Sequence, residues 1–132
     1  MRTRSKARRR AVEALFEAEQ RGVSPIEVLE RNPEVNDYAV VLVHHVTTNG
    51  QRIDELVTTY LTDRTIDRMP ALDRAITRVA VGELLFEPAL ESAVIISEAV
   101  EIAELLSTEQ SSKYINGLLG SIARVRESIS SL

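Results

Sequence analysis

The stretch Leu72-Asp-Arg-Ala-Ile-Thr-Arg-Val-Ala-Val-Gly-Glu-Leu-Leu85 carries apolar residues on nearly every side of a helix. At about 100° per residue, Leu72, Ile76, Val79, Ala80, Val81, Leu84 and Leu85, with Phe86 beyond, cover most of the circumference. A helix of that kind lies at the centre of a bundle, with other helices packed around it. Pro70 opens it and Pro88 ends it, so the pattern predicts a helix to about Glu87. Glu83 falls among the apolar positions, where a carboxylate needs a hydrogen-bonding partner, and we read it as structural.

Outward from this helix, helical periodicity continues in both directions and no convincing strand alternation interrupts it, so the fold class is all-α. A first helix is expected from about Arg4 to Arg21, stopped by Gly22. Ser24, Pro25 and Glu27 predict a second, with Ser24 as cap and Glu27 completing a capping box, closed by Asn32-Pro33. Tyr38, Val41, Leu42, His45, Val46, Asn49, Ile53, Leu56, Val57 and Tyr60 keep one face over a third helix from about Asp37 to Leu61, with Gly50 as a candidate bend. "TIDRM" (65–69) reads as a short helical turn. Another helix is expected over Ser92 to Leu106, burying Ile95, Ile96, Ala99, Ile102, Ala103 and Leu106 and placing Glu98, Glu101 and Glu104 outside. After the loop "STEQSS" (107–112), a last helix from about Ser112 aligns Ile115, Leu118, Ile122, Val125 and Ile129.

The 132 residues suit one compact domain, or two small bundles sharing a core. With 4% aromatic residues and no Trp, that core is built of Leu, Ile, Val and Ala. The chain has no cysteine, which removes disulfides, thiolate metal sites and Cys nucleophiles together. No long apolar run and no signal-peptide pattern is readable, so a cytoplasmic protein without membrane association is expected. His44 and His45 diverge by about 100° on a helix and do not share a metal. Neither a phosphate-binding glycine loop, nor a nucleophile with a base, nor metal-ligand spacing is present, so the sequence reads as a non-enzyme without metal or cofactor.

The net charge of −4 conceals an asymmetry. Arg2, Arg4, Lys6, Arg8, Arg9 and Arg10 crowd the first ten residues, and the remainder carries ten bases against twenty acids. A basic arm (1–10) on an acidic body suits a polyanion at one end and a basic partner on another face. Arg4, Arg8, Val12 and Leu15 share one sector of the first helix. An unpaired buried guanidinium is costly, so the first two turns are expected to overhang the core and present their bases to solvent. RNA is the better polyanion here, since Arg-rich segments order on it.

Three segments together resemble the NusB family of transcription antitermination factors: "RRRAVEALFEAE" (8–19), "LDRAITRVAVGELL" (72–85) and "VIISEAVEIAELLSTEQSSKYINGLLGSI" (94–122). The resemblance implies about seven helices in two packed bundles, forming a single domain over 1–132. It implies binding of boxA-type single-stranded RNA together with the small-subunit ribosomal protein NusE, within an RNA polymerase antitermination complex acting on ribosomal RNA operons. Arg4, Lys6 and Arg8 then fall in the family's RNA arm, extended by Arg9 and Arg10. Lys113 and Tyr114 match positions near the RNA, as a phosphate contact and a stacking face; a plain exposed lysine and edge-of-core packing are the alternatives. Tyr60 matches an RNA-side aromatic but also sits on an apolar stripe. Asp67, Asp73 and Gln110 align with the partner face, where Gln110 replaces a usually acidic residue. Some members self-associate, so a homodimer is among the implied states. A helical adaptor whose acidic face docks proteins, without specific RNA binding, is the competing reading.

Overall fold

The computed structural model describes residues 3–32 and 37–130. Arg2, Pro33 and the side chain of Ile129, each given a part in the sequence reading, lie outside the described residues. The expected central helix is α5 (Ala71–Phe86), begun after Pro70 and buried on nearly every side from Asp73 to Leu85. It packs against α1 (Thr3–Arg21) and α3 (Asp37–Thr48) on one side. On the other it meets α4 (Gly50–Tyr60), α6 (Ser92–Leu106), α7 (Glu109–Ala123) and α8 (Arg126–Ser130). The first bundle is α1, α2 (Pro25–Glu30) and α3; the second is α4 to α8, with a 3-10 turn at Ile66–Arg68. All described regular structure is helical, and one apolar cluster runs through both bundles.

Small residues set the closeness of the first bundle. Ala7, Ala11, Ala14 and Ala18 line the buried face of α1, and they let α3 and α5 approach its backbone. Gly22 takes φ +67, a left-handed conformation that glycine adopts without steric cost, and the Val23 amide reaches back to the Ala18 carbonyl at 3.0 Å. Two arginines of α5 bridge to its neighbours: Arg74 pairs with Glu19 of α1, and Arg78 donates to both oxygens of Asp54 on α4 at 2.9 and 2.8 Å.

Three expectations change in the structure. The predicted third helix is two helices broken at Asn49 (φ −116, ψ 24), whose side-chain amide donates to the His45 carbonyl at 3.1 Å. This local bond competes with helix continuation, and Gly50 is a weak helix former beside it. Ser24 occupies the cap position of α2, but its side chain makes no capping bond, so the capping box does not form. Pro25, with its fixed φ, starts that helix instead. Finally, α7 begins at Glu109, capped by the Thr108 hydroxyl, which accepts from the Ser111 amide at 2.9 Å. It ends at Ala123 rather than running on, because Arg126 turns back to cap α5: it donates to the carbonyls of Leu84, Glu87 and Leu90 at 2.8, 2.9 and 2.6 Å.

Candidate nucleic-acid interface

The start of α1 divides its bases between solvent and core. Arg4 and Lys6 are exposed, with the Arg4 guanidinium 4.5 Å from the centre of the Tyr38 ring. Arg9 and Arg10 are half-buried and lie 3.8 and 3.6 Å from Glu13, contacts loose enough to yield to a phosphate. Arg8 departs from the expectation of an overhanging, solvated arm, being only 4% exposed. Its Nε donates to both oxygens of Glu83 at 2.8 and 3.0 Å, and its Nη1 to Glu98 at 3.0 Å. Tyr38 donates to Glu83 at 2.7 Å, and Ser5 to Glu98 at 2.6 Å.

Arg8 is therefore a core ion-pair residue and not an open phosphate contact. Glu98, expected outside with Glu101 and Glu104, is buried as its partner, whereas those two are exposed. Glu83 holds the structural role read for it. Burial alone pulls the Arg8 pKa down, but the hydrogen bond and charge of Glu83, with the charge of Glu98, outweigh it, so the guanidinium stays charged above its ordinary range. Burial, then the Glu83 hydrogen bond, pushes the Tyr38 phenol up.

A second cluster forms where the turn after α4 meets α7. Tyr114 is half-buried and donates to Asp63 at 2.9 Å, while the Arg64 guanidinium lies 4.7 Å from its ring centre. The Tyr114 hydrogen bond, followed by the Arg64 bond and charge, outweighs what little desolvation there is and holds Asp63 below the ordinary carboxylate range. Burial, then Asp63, raises Tyr114. Lys113 is exposed and 3.6 Å from Glu109. Tyr60, at the end of α4, packs half-buried against the core. No hydrogen bond or ion pair joins the bases of α1 to Lys113 or Tyr114 among the described residues.

The residues aligned with a partner face separate as well. Asp67 and Gln110 are exposed. Asp73 is 5% exposed and accepts from Ser107 and Ser111 at 2.8 and 2.7 Å, so its carboxylate ties α5 to the α6–α7 connection instead of standing free for a partner. Asp73, Gln110 and Tyr114 nevertheless line one groove, together with Arg64. Asp63 and Arg64, a charged pair in a polar turn, carry no periodic signal in the sequence, and the two serines give no cue beyond the loop composition. His45 pairs with Glu87 at 2.7 Å and His44 is exposed, each in a separate role. Among the described residues, no group of metal-binding side chains occurs and no helix is long and apolar enough to cross a membrane.

The described residues thus form a two-bundle, all-helical protein with exposed bases at the start of its first helix. The chain belongs to the NusB family, whose profile matches residues 5–124. It is 47% identical to the transcription antitermination protein NusB of Kineococcus radiotolerans, covering 98% of this chain and 99% of that one. To the protein of the same name from Salinispora tropica it is 49% identical, over 93% and 96%. Among solved structures, T. maritima NusB superposes with a TM-score of 0.84 at 33% identity, covering 92% of this chain and 90% of that one. A structure of the antitermination factors NusB and NusE in complex with double-stranded RNA matches with a TM-score of 0.82 at 28% identity, over 95% and 98%. The family is one of antitermination factors and not of enzymes.

Proposed function

We propose that this chain binds boxA-type single-stranded RNA together with the ribosomal protein NusE, and that the pair joins the RNA polymerase antitermination complex on ribosomal RNA operons in the cytoplasm. The observation that carries this reading is the set of exposed or half-exposed, loosely paired bases at the start of α1, Arg4, Lys6, Arg9 and Arg10, on a chain of this family. The related structure that holds NusE and RNA together supports both partners. Its RNA is double-stranded, so the strandedness is argued from chemistry: Arg side chains and the Tyr114 cluster offer stacking to unpaired bases, which a duplex keeps stacked on one another. Lys113 contributes a phosphate contact, Tyr114 belongs to the stacking cluster, and Tyr60, at the end of α4, is a further aromatic on the RNA side. Asp67 and Gln110 are the exposed members of the partner face, with Asp73 shaping it from beneath. All residues act within one domain.

The test is a variant with Arg4, Lys6, Arg9 and Arg10 replaced by serine. The log–log salt dependence of RNA binding is expected to lose about 0.7 in slope for each phosphate contact removed, while the chain stays folded and NusE binding holds. An unchanged slope contradicts the reading.

A further inference from the structure

Asp63, Arg64 and Tyr114 brace one another. The Asp63 carboxylate accepts from the Tyr114 hydroxyl at 2.9 Å and from the Arg64 guanidinium at 3.4 Å, and that guanidinium lies 4.7 Å from the centre of the Tyr114 ring. Tyr114 itself is packed against the core, and Arg64 covers it from the exposed turn. The ring face that a nucleobase would use is therefore already occupied. The arginine is not buried by this contact: a third of its side chain stays exposed, beside a groove of about 310 Å³ whose walls include Met69, Pro70 and Thr108. A guanidinium braced over a ring is itself a stacking surface for a base, planar and weakly hydrated. The positive charge adds attraction for the adjoining phosphates.

Resting on the RNA-binding reading above, we propose that Arg64, and not the Tyr114 ring, is the platform on which a nucleobase of single-stranded RNA stacks, with Tyr114 and Asp63 as the residues that position it. The arrangement makes a three-layer stack of phenol, guanidinium and base. It differs from two simpler roles for the same arginine. A phosphate contact needs only the charge, which lysine supplies. A lid over Tyr114 competes with the base, so that its removal strengthens binding.

The experiment measures fluorescence anisotropy of the full chain and its Arg64→Lys, Arg64→Ala and Tyr114→Leu variants on a boxA-like single-stranded RNA. The same RNA with one abasic position at a time is run alongside. Both Arg64 variants are expected to bind about tenfold more weakly, the size of one stacked base, and Tyr114→Leu to weaken binding through loss of the platform's support. One abasic position that weakens the wild type by a similar factor is expected to cost nothing further in Arg64→Ala. In the free wild-type protein, the Arg64 side-chain NMR signals are expected upfield, shifted by the Tyr114 ring, and to return to ordinary values in Tyr114→Leu. Wild-type affinity in Arg64→Lys, tighter binding in Arg64→Ala, or an abasic cost that persists in Arg64→Ala each overturns the platform and leaves RNA binding standing. A wild type that binds no RNA overturns both.

Discussion

Arg8→Ala leaves the carboxylates of Glu83 and Glu98 in the core without the guanidinium that lies between them. The three residues are 4%, 1% and 5% exposed, so water does not replace what is lost. Arg8 makes three charge-assisted hydrogen bonds, two to Glu83 and one to Glu98. The Tyr38 and Ser5 hydroxyls still donate to the two acids after its removal, but they carry no charge to balance them. Removing one partner of a buried pair costs about 3–5 kcal/mol, and two carboxylates sharing the cation place this site near about 4. Against a total stability of about 5–15 kcal/mol, the variant remains folded with a melting temperature on the order of 10–15 °C lower. Urea unfolding followed by far-UV circular dichroism measures it. Arg9→Ala is the control, since its pair with Glu13 is 3.8 Å long and more than a third exposed on both sides, and it is expected to stay within about 0.5 kcal/mol of wild type. RNA affinity of folded Arg8→Ala is expected to match that of wild type. An Arg8→Ala variant within about 1 kcal/mol of wild type in stability, yet strongly impaired in RNA binding, refutes the reasoning and returns Arg8 to the RNA arm.

Alkaline titration followed by phenolate absorbance is expected to show Tyr38 and Tyr114 ionising above the ordinary phenol value of about 10. Because both pKa values are raised in the folded state, their contribution to stability is complete below about pH 10 and is lost as pH climbs through the raised values. Tyr38→Phe and Tyr114→Phe each remove one late phase, and ordinary titration in wild type contradicts the burial and hydrogen bonding of both phenols. Asp73→Ala is expected to cost about 2 kcal/mol in chemical denaturation, through the two hydroxyl bonds it accepts in a nearly dry site; an unchanged midpoint means the carboxylate is free. Gly22→Ala is expected to cost about 1 kcal/mol at φ +67, whereas Gly82→Ala in α5 gains about 0.5–1 kcal/mol, its Cβ meeting the His45 Cβ at an ordinary 3.5 Å. Equal effects at the two glycines contradict the backbone argument.

The helices were legible wherever their punctuation is local. Gly22, Pro25, Pro70 and Pro88 act within a residue or two, and α6 runs from Ser92 to Leu106 as its periodicity predicts. The break between α3 and α4 was legible only as a candidate bend at Gly50, because the apolar stripe keeps its face across Asn49 and the side-chain bond to His45 is what shows that the helix stops. The turn that begins α8 depends on carbonyls at the end of α5, some forty residues away in the chain. The same distance problem governs the site. Arg8 looked like one more exposed base because its partners lie 75 and 90 positions along the sequence. Glu98 looked solvated for the same reason, although Glu83, isolated on an apolar helix, announced its need for a partner. Arg4 and Lys6 are exposed, as the overhang of the first two turns predicts. Arg64 gained its meaning only when α7 brought Tyr114 beneath it.

Whether this chain reads a specific single-stranded RNA in company with NusE is decided by fluorescence anisotropy on a boxA-like RNA and a scrambled control, each with and without NusE, at one fixed salt concentration. Tighter binding of the matched RNA is expected, with a further gain for that RNA when NusE is present. Equal binding of both RNAs with no gain from NusE contradicts it, and leaves a helical adaptor whose acidic face, with Glu101 and Glu104 exposed, does the docking.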